Sequence, residues 1–95
     1  MYARLTTWRV GAENRPKLQR LADEVSRQLP GMGGFRSVTF LADDAAGEYS
    51  SLTVWDSREA AEAAQQAQAA QLRQAVADLG VQPEVRAFEV YEPGA

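Results

Sequence analysis

Residues 35–59 read FRSVTFLA (35–42), DDAAG (43–47), EYSSLTVW (48–55) and DSRE (56–59). The first and third runs are rich in β-branched and aromatic residues, the composition of strands. The five-residue loop between them ends on Gly47, which tolerates the positive φ that a tight hairpin needs. Two strands this close in sequence predict an antiparallel pair. Asp56 and Glu59 then have the spacing of a capping box, so a helix is expected to start directly after the second strand. Arg58 and Glu62 are placed to pair along that helix at i,i+4.

Working outward, residues 57–79 are rich in Ala and Gln. The first half offers only alanines for packing, whereas the second half carries a stripe at Leu72, Val76 and Leu79. This change predicts a break near residues 65–70, and Gly80 is the stop. EVRAFEVY (84–91) predicts a last strand, followed by a tail at 92–95. On the other side, Gly31-Met32-Gly33-Gly34 is a connector. Before it, Leu18, Leu21, Val25 and Leu29 recur at spacings of three and four, one apolar stripe on a charged helix. Pro16 suits its first turn, Asn14 is the expected cap, and Pro30-Gly31 ends it. YARLTTWRV (2–10) predicts the first strand. The order is βαββαβ, an α+β chain of ferredoxin-like arrangement with a four-stranded antiparallel sheet, expected to form one domain over residues 1–95.

Two helices cover only one face of such a sheet. Strict alternation puts Phe35 and Leu41 on one face of the second strand and Val38 and Phe40 on the other. In the third strand it sets Leu52 and Val54 against Tyr49 and Trp55. A sheet apolar on both sides needs a cover on both. A domain of 95 residues also buries only about two thirds of its unfolded surface. A second copy of the sheet is the natural cover, and a homodimer is expected.

Composition excludes several functions. Ten basic against thirteen acidic residues give a net charge of −3, with no basic run. That argues against nucleic acid and against an anionic membrane surface. The absence of Cys removes disulfides, thiolate chemistry and thiolate-held metals. The absence of His removes the commonest metal ligand and general base. No apolar run is long enough to span a bilayer, and Met1 to Leu5 does not read as a signal peptide, so a cytoplasmic location is expected. Asp43 and Asp44, adjacent in a turn, read as solvated rather than as a metal site. Gly31-x-Gly33-Gly34 fits neither a dinucleotide fingerprint nor a phosphate loop.

Several segments resemble the antibiotic biosynthesis monooxygenase family of dimeric αβ barrels. They are the opening Met1-Tyr2-Ala3-Arg4 to Val10-Gly11, the entry Pro30-Gly31-Met32-Gly33-Gly34-Phe35, and above all Ser51-Leu52-Thr53-Val54-Trp55-Asp56-Ser57-Arg58-Glu59-Ala60. The resemblance spans nearly the whole chain. It implies the dimeric barrel and either a cofactor-free oxygenase acting on phenolic rings or a haem-degrading enzyme. The haem branch uses a His that this chain lacks. The cofactor-free branch implies no cofactor and no metal, and it resembles this chain at Trp55 and, within Gln71-Leu72-Arg73, at Arg73. It departs at Ser51, where that branch has Asn, and at Ala61, where it has Tyr.

The candidate catalytic residues are therefore Trp55 and Arg73, with Tyr49, Ser51 and Thr53 as substrate-binding residues. Trp55 shares a face with those three by strand period, and the mixture of ring and hydroxyl suits a small-molecule pocket. Trp55 equally suits packing against the next helix. Arg73 offers a fixed charge for a phenolate or superoxide, or is a solvated helix residue. Tyr2 and Trp8 alternate with Arg4 and Thr6 and line either the same cavity or the dimer interface. Arg4, Arg9 and Arg36 are available to neutralise an acidic ligand. Two functions follow: a cofactor-independent monooxygenase acting on a small aromatic molecule, or a non-catalytic ligand-binding or interaction protein on the same scaffold. An RNA-recognition module shares the element order but needs an aromatic, basic strand that GEYSSLTVW (47–55) does not provide. Acylphosphatase shares it too, but its arginine-bearing phosphate cradle is not evident.

Overall fold

A computed structural model describes residues 1–94. The elements are β1 (Tyr2–Arg9), α1 (Arg15–Gln28), β2 (Phe35–Asp43), β3 (Glu48–Trp55), α2 (Arg58–Ala67), α3 (Ala69–Leu79) and β4 (Glu84–Glu89). Short 3-10 turns at Ala12–Asn14 and Leu29–Gly31 bracket α1. The sheet is antiparallel in the order β2-β3-β1-β4, the ferredoxin-like arrangement. Of the tail expected at 92–95, Ala95 lies outside the described residues.

The hairpin read from the sequence pairs Asp43 with Glu48 and turns through Gly47 at φ 67°. A Cβ at Gly47 would stand 2.6 Å from Gly11 Cα, so the loop closes against the β1–α1 turn. The Val10 and Gly11 N–H groups both donate to the Gly47 carbonyl, at 3.0 and 3.1 Å. This knot holds the hairpin tip against the start of α1.

Three local expectations are corrected. Phe35 does not share a face with Leu41. It pairs with Trp55, but Ser37 pairs with Val54, so Arg36 is the extra residue of a β-bulge. The added residue resets the alternation. Phe35 joins Val38 and Phe40 on the helix side and meets Trp55 edge-on, ring centres 5.5 Å apart. The cap of α2 is Ser57, whose hydroxyl accepts the Ala60 N–H at 3.1 Å. Asp56 instead pairs with the bulged Arg36 at 2.7 Å. Asn14 stands at the cap position of α1, but its side-chain amide donates back to the Val10 carbonyl at 2.7 Å.

The predicted break in the second helix falls at Gln68, with φ −97° and ψ 3° between α2 and α3. Hydrogen bonding runs through it, from Gln68 N–H to the Ala64 carbonyl and from Leu72 N–H to the Gln68 carbonyl.

All helices cover one face of the sheet. The core beneath them is split. One cluster joins Trp8, Leu18, Tyr49 and Ala75, and the other joins Leu29, Trp55, Ala61 and Ala64. Alanines serve the second cluster because Trp55, 1% exposed, fills the space: Ala61 beside it is fully buried. On the opposite face, cross-strand pairing groups Ala3, Leu5, Leu41, Leu52, Val54 and Phe88. Among the described residues no element covers this face, and Leu41 and Phe88 are 49% and 38% exposed.

Candidate functional site

Between the two clusters the helices stand away from the sheet and leave a cavity of about 320 Å³. This lies at the lower end of the range for small-molecule sites, roughly 300–1,000 Å³. The floor is the middle of β1 and β3. The register sets Arg4 against Thr53 and Thr6 against Ser51, and all four line the cavity. The walls are the aromatic ends, Trp8 and Tyr49 on one side and Trp55 on the other. The roof is the apolar stripe of α1, with Leu18, Leu21 and Val25, together with Gln65, Gln68 and Leu72 from around the helix break. Gln19, Phe40, Gln65 and Val85 are both exposed and lining, and they mark where the cavity meets solvent.

The sequence candidates separate in space. Trp55, Tyr49, Ser51 and Thr53 are brought together along one wall and the floor. Trp8 and Arg4 join them, so this side of β1 faces the cavity and not the open face of the sheet. Tyr2 packs in the Trp55 cluster. Arg73 does not converge on this site. It is exposed on α3 and does not line the cavity, because the phase set at Gln68 turns Leu72 and Ala75 inward. Arg9 and Arg36 are engaged elsewhere, Arg9 with Glu48 and Glu84 and Arg36 with Asp56.

One donor of the lining is buried and unsatisfied, and one half-buried cation has no counter-charge among the described residues. The Trp55 indole N–H is buried with no hydrogen-bond partner among the described residues. Arg4 has no carboxylate within ion-pair distance among them, and burial pulls its guanidinium below the ordinary arginine value. An arginine nevertheless keeps its proton at any physiological pH. At the other end the polar groups are paired. The Tyr49 hydroxyl donates to Asp44 Oδ1 at 2.6 Å and Arg15 Nη1 donates to Asp44 Oδ2 at 2.6 Å. The bond from Tyr49 holds the Asp44 carboxyl below its usual range, with Arg15 adding to the effect. The same bond raises the Tyr49 hydroxyl.

Arg4 and Gln68 are the lining residues that sequence reasoning places least well. Arg4 is one of three scattered arginines there. The available signal is the alternation Tyr2-Arg4-Thr6-Trp8, which puts one charge in the middle of an aromatic face. Gln68 carries no signal beyond its place in the expected break. The lining has no Asp, Glu or His among the described residues, so no side chain there is an obvious general base.

No functionally curated protein matches the sequence. Solved structures match over almost the whole chain. A candidate antibiotic biosynthesis monooxygenase from Deinococcus radiodurans superposes with a TM-score of 0.82 at 19% identity, covering 97% of this chain and 94% of that one. One from Nitrosomonas europaea gives 0.80 at 14%, covering 99% and 93%. A Streptomyces coelicolor monooxygenase in complex with nanaomycin D gives 0.78 at 22%, covering 96% and 88%. At these identities the likeness carries the fold. The family model for antibiotic biosynthesis monooxygenase matches residues 1–88, and the chain belongs to that family.

Proposed function

We propose that the protein binds a small aromatic, phenolic molecule in the cavity between sheet and helices and acts on it as a cofactor-independent monooxygenase. The observation that carries this reading is the cavity itself, with Trp55 on its wall bearing an unpaired N–H and with Tyr49, Ser51 and Thr53 beside it. The Streptomyces coelicolor relative, solved in complex with nanaomycin D, supports a small-molecule ligand. The reaction that suits the site converts a ring methylene to a ring carbonyl, consuming one dioxygen and releasing one water for each methylene oxidised. A methylene proton passes to water, and the resulting carbanion reduces dioxygen. The peroxide so formed takes up a proton and loses water to leave the carbonyl, which keeps the other oxygen atom. The substrate supplies the electrons, and the protein supplies an oriented enclosure that water can enter at its mouth.

A homodimer is part of the proposal. Leu5, Leu41, Leu52, Val54 and Phe88, around the buried Ala3, form an open apolar face of a kind that monomers rarely leave in water. A second copy related by a two-fold axis would place the same residues opposite one another.

A non-catalytic binding protein is the second reading. It is favoured by the lack of a carboxylate or imidazole in the lining among the described residues, and by the fully buried Ala61 beside Trp55. Oxygen consumption with an anthrone-type phenol separates the two. Uptake above the protein-free rate, reduced by Trp55→Phe, is expected for the oxygenase. Tight binding of the phenol with uptake at background would leave the binding reading.

A further inference from the structure

We infer that the floor of the cavity is an anion subsite centred on Arg4, and that the natural ligand carries a carboxylate or an ionised ring oxygen there. The inference rests on the proposed small-aromatic reading of the cavity and narrows it to anionic aromatics.

Charge in the cavity is one-sided. The chain as a whole is acidic, yet among the described residues no carboxylate lines the cavity, and its two charged residues are Arg4 and Arg15. Arg15 is neutralised by Asp44 at 2.6 Å. Arg4 is not neutralised by any described residue. Arg4 is half-buried, so its guanidinium loses part of its hydration with no carboxylate among the described residues to compensate, a cost that a bound anion would offset. The neighbours of Arg4 are suited to a ligand oxygen. Thr53 lies directly across the strand pair, and Thr6 and Ser51 form the next pair on the same face. Trp55, whose N–H is also unpaired, is the diagonal neighbour of Arg4, because it pairs with Tyr2. The unpaired Arg4 cation and the unpaired Trp55 N–H therefore occupy neighbouring register positions on one face of the sheet, and an anion at Arg4 supplies the charge that the cavity lacks. The same charge gives the proposed reaction a means of ionising its substrate. A cation beside a phenol or enol lowers its pKa, so the anion forms without a side-chain base.

Calorimetric titration with 2-naphthoate and 2-naphthamide tests this, because the two probes share shape and ring area and differ in charge. The wild-type protein is expected to bind the carboxylate at least about tenfold more tightly than the amide, the range of a charge-assisted hydrogen bond. Arg4→Gln is expected to abolish that preference, bringing the ratio of carboxylate to amide affinity to within about twofold of one. Arg4→Lys is expected to keep part of it, and Arg73→Gln all of it. Equal binding of the two probes to the wild type overturns the anion subsite and leaves the aromatic pocket standing. A preference that survives in Arg4→Gln also overturns it. Binding of neither probe overturns both the subsite and the aromatic reading. The wild-type ratio decides even if a variant fails to fold.

Discussion

The two faces of the sheet are built in opposite senses. The face under the helices is polar in its middle, where Arg4, Thr6, Ser51 and Thr53 meet across β1 and β3. The face away from the helices is apolar in its middle, where Leu5 meets Leu52 and Ala3 meets Val54. A lone two-layer domain would have the reverse, with hydrocarbon under the helices and hydroxyls toward water. The inversion teaches that each face answers to something other than the monomer's own core. On the proposed reading, the covered face keeps a polar floor for a ligand, and the open face keeps its leucines for a second copy of the chain.

The largest expected effect breaks the covered face. Trp55→Ala removes the largest side chain of the second core cluster, one that also forms the cavity wall, and leaves a void between Leu29, Ala61 and Ala64. A loss of about 3–5 kcal/mol is expected in chemical denaturation, the usual cost of a buried aromatic truncation. A loss under about 1 kcal/mol would mean that Trp55 serves the cavity alone.

Next in size is the open face. Leu52→Asp puts a charge at its centre. At least about a hundredfold weakening of dimer association is expected by sedimentation equilibrium, from the burial of an unpaired carboxylate at the interface. The circular dichroism spectrum should be unchanged. A wild-type protein that sediments as a monomer, or a variant that stays dimeric, would break the comparison at this face.

Arg4→Met sharpens the comparison with a smaller effect of opposite sign. If the guanidinium is held unpaired for a ligand, the unliganded protein should gain between about 0.5 and 2 kcal/mol, the common size of a stabilising replacement at a functional position. Destabilisation would mean that Arg4 has a structural partner.

The smallest effect is at the Tyr49 end, where the groups are already paired. The bond from Tyr49 lowers the folded-state pKa of Asp44, so it contributes stability above the unfolded carboxylate value and loses it as the pH falls through the lower folded value. The stability difference between wild type and Tyr49→Phe should therefore be constant near neutrality and shrink on acidification below about pH 4. A difference that grows toward acid would contradict the network.

Much of this is legible in the sequence. The hairpin at 35–55, the stripe on α1 and the weak centre of the Ala- and Gln-rich helix set the element order and the break at Gln68. Alternation alone puts Trp55, Tyr49, Ser51 and Thr53 on one face. Phe35 falls on the face opposite to the one alternation predicts because a bulge inserts Arg36, and no period of two can register an extra residue. The cap at α2 differs by one residue because Asp56 and Ser57 are both good caps, and the contact with Arg36 that occupies Asp56 is non-local. Resemblance sets Arg73 at the site, and the helical phase after Gln68 turns it outward. The isolation of Arg4 is a property of packing, since it depends on which carboxylates the fold brings near each arginine.

In the proposed division of labour, the covered face receives a ligand and the open face receives a second copy of the chain. Intermolecular NOEs from the ring protons of bound 2-naphthoate to methyl groups test it most directly. Contacts are expected to Thr6, Leu18 and Leu72, with a shifted Trp55 indole N–H and none to Leu5, Leu52 or Val54. Contacts to those three, with the Trp55 resonance unmoved, would contradict it.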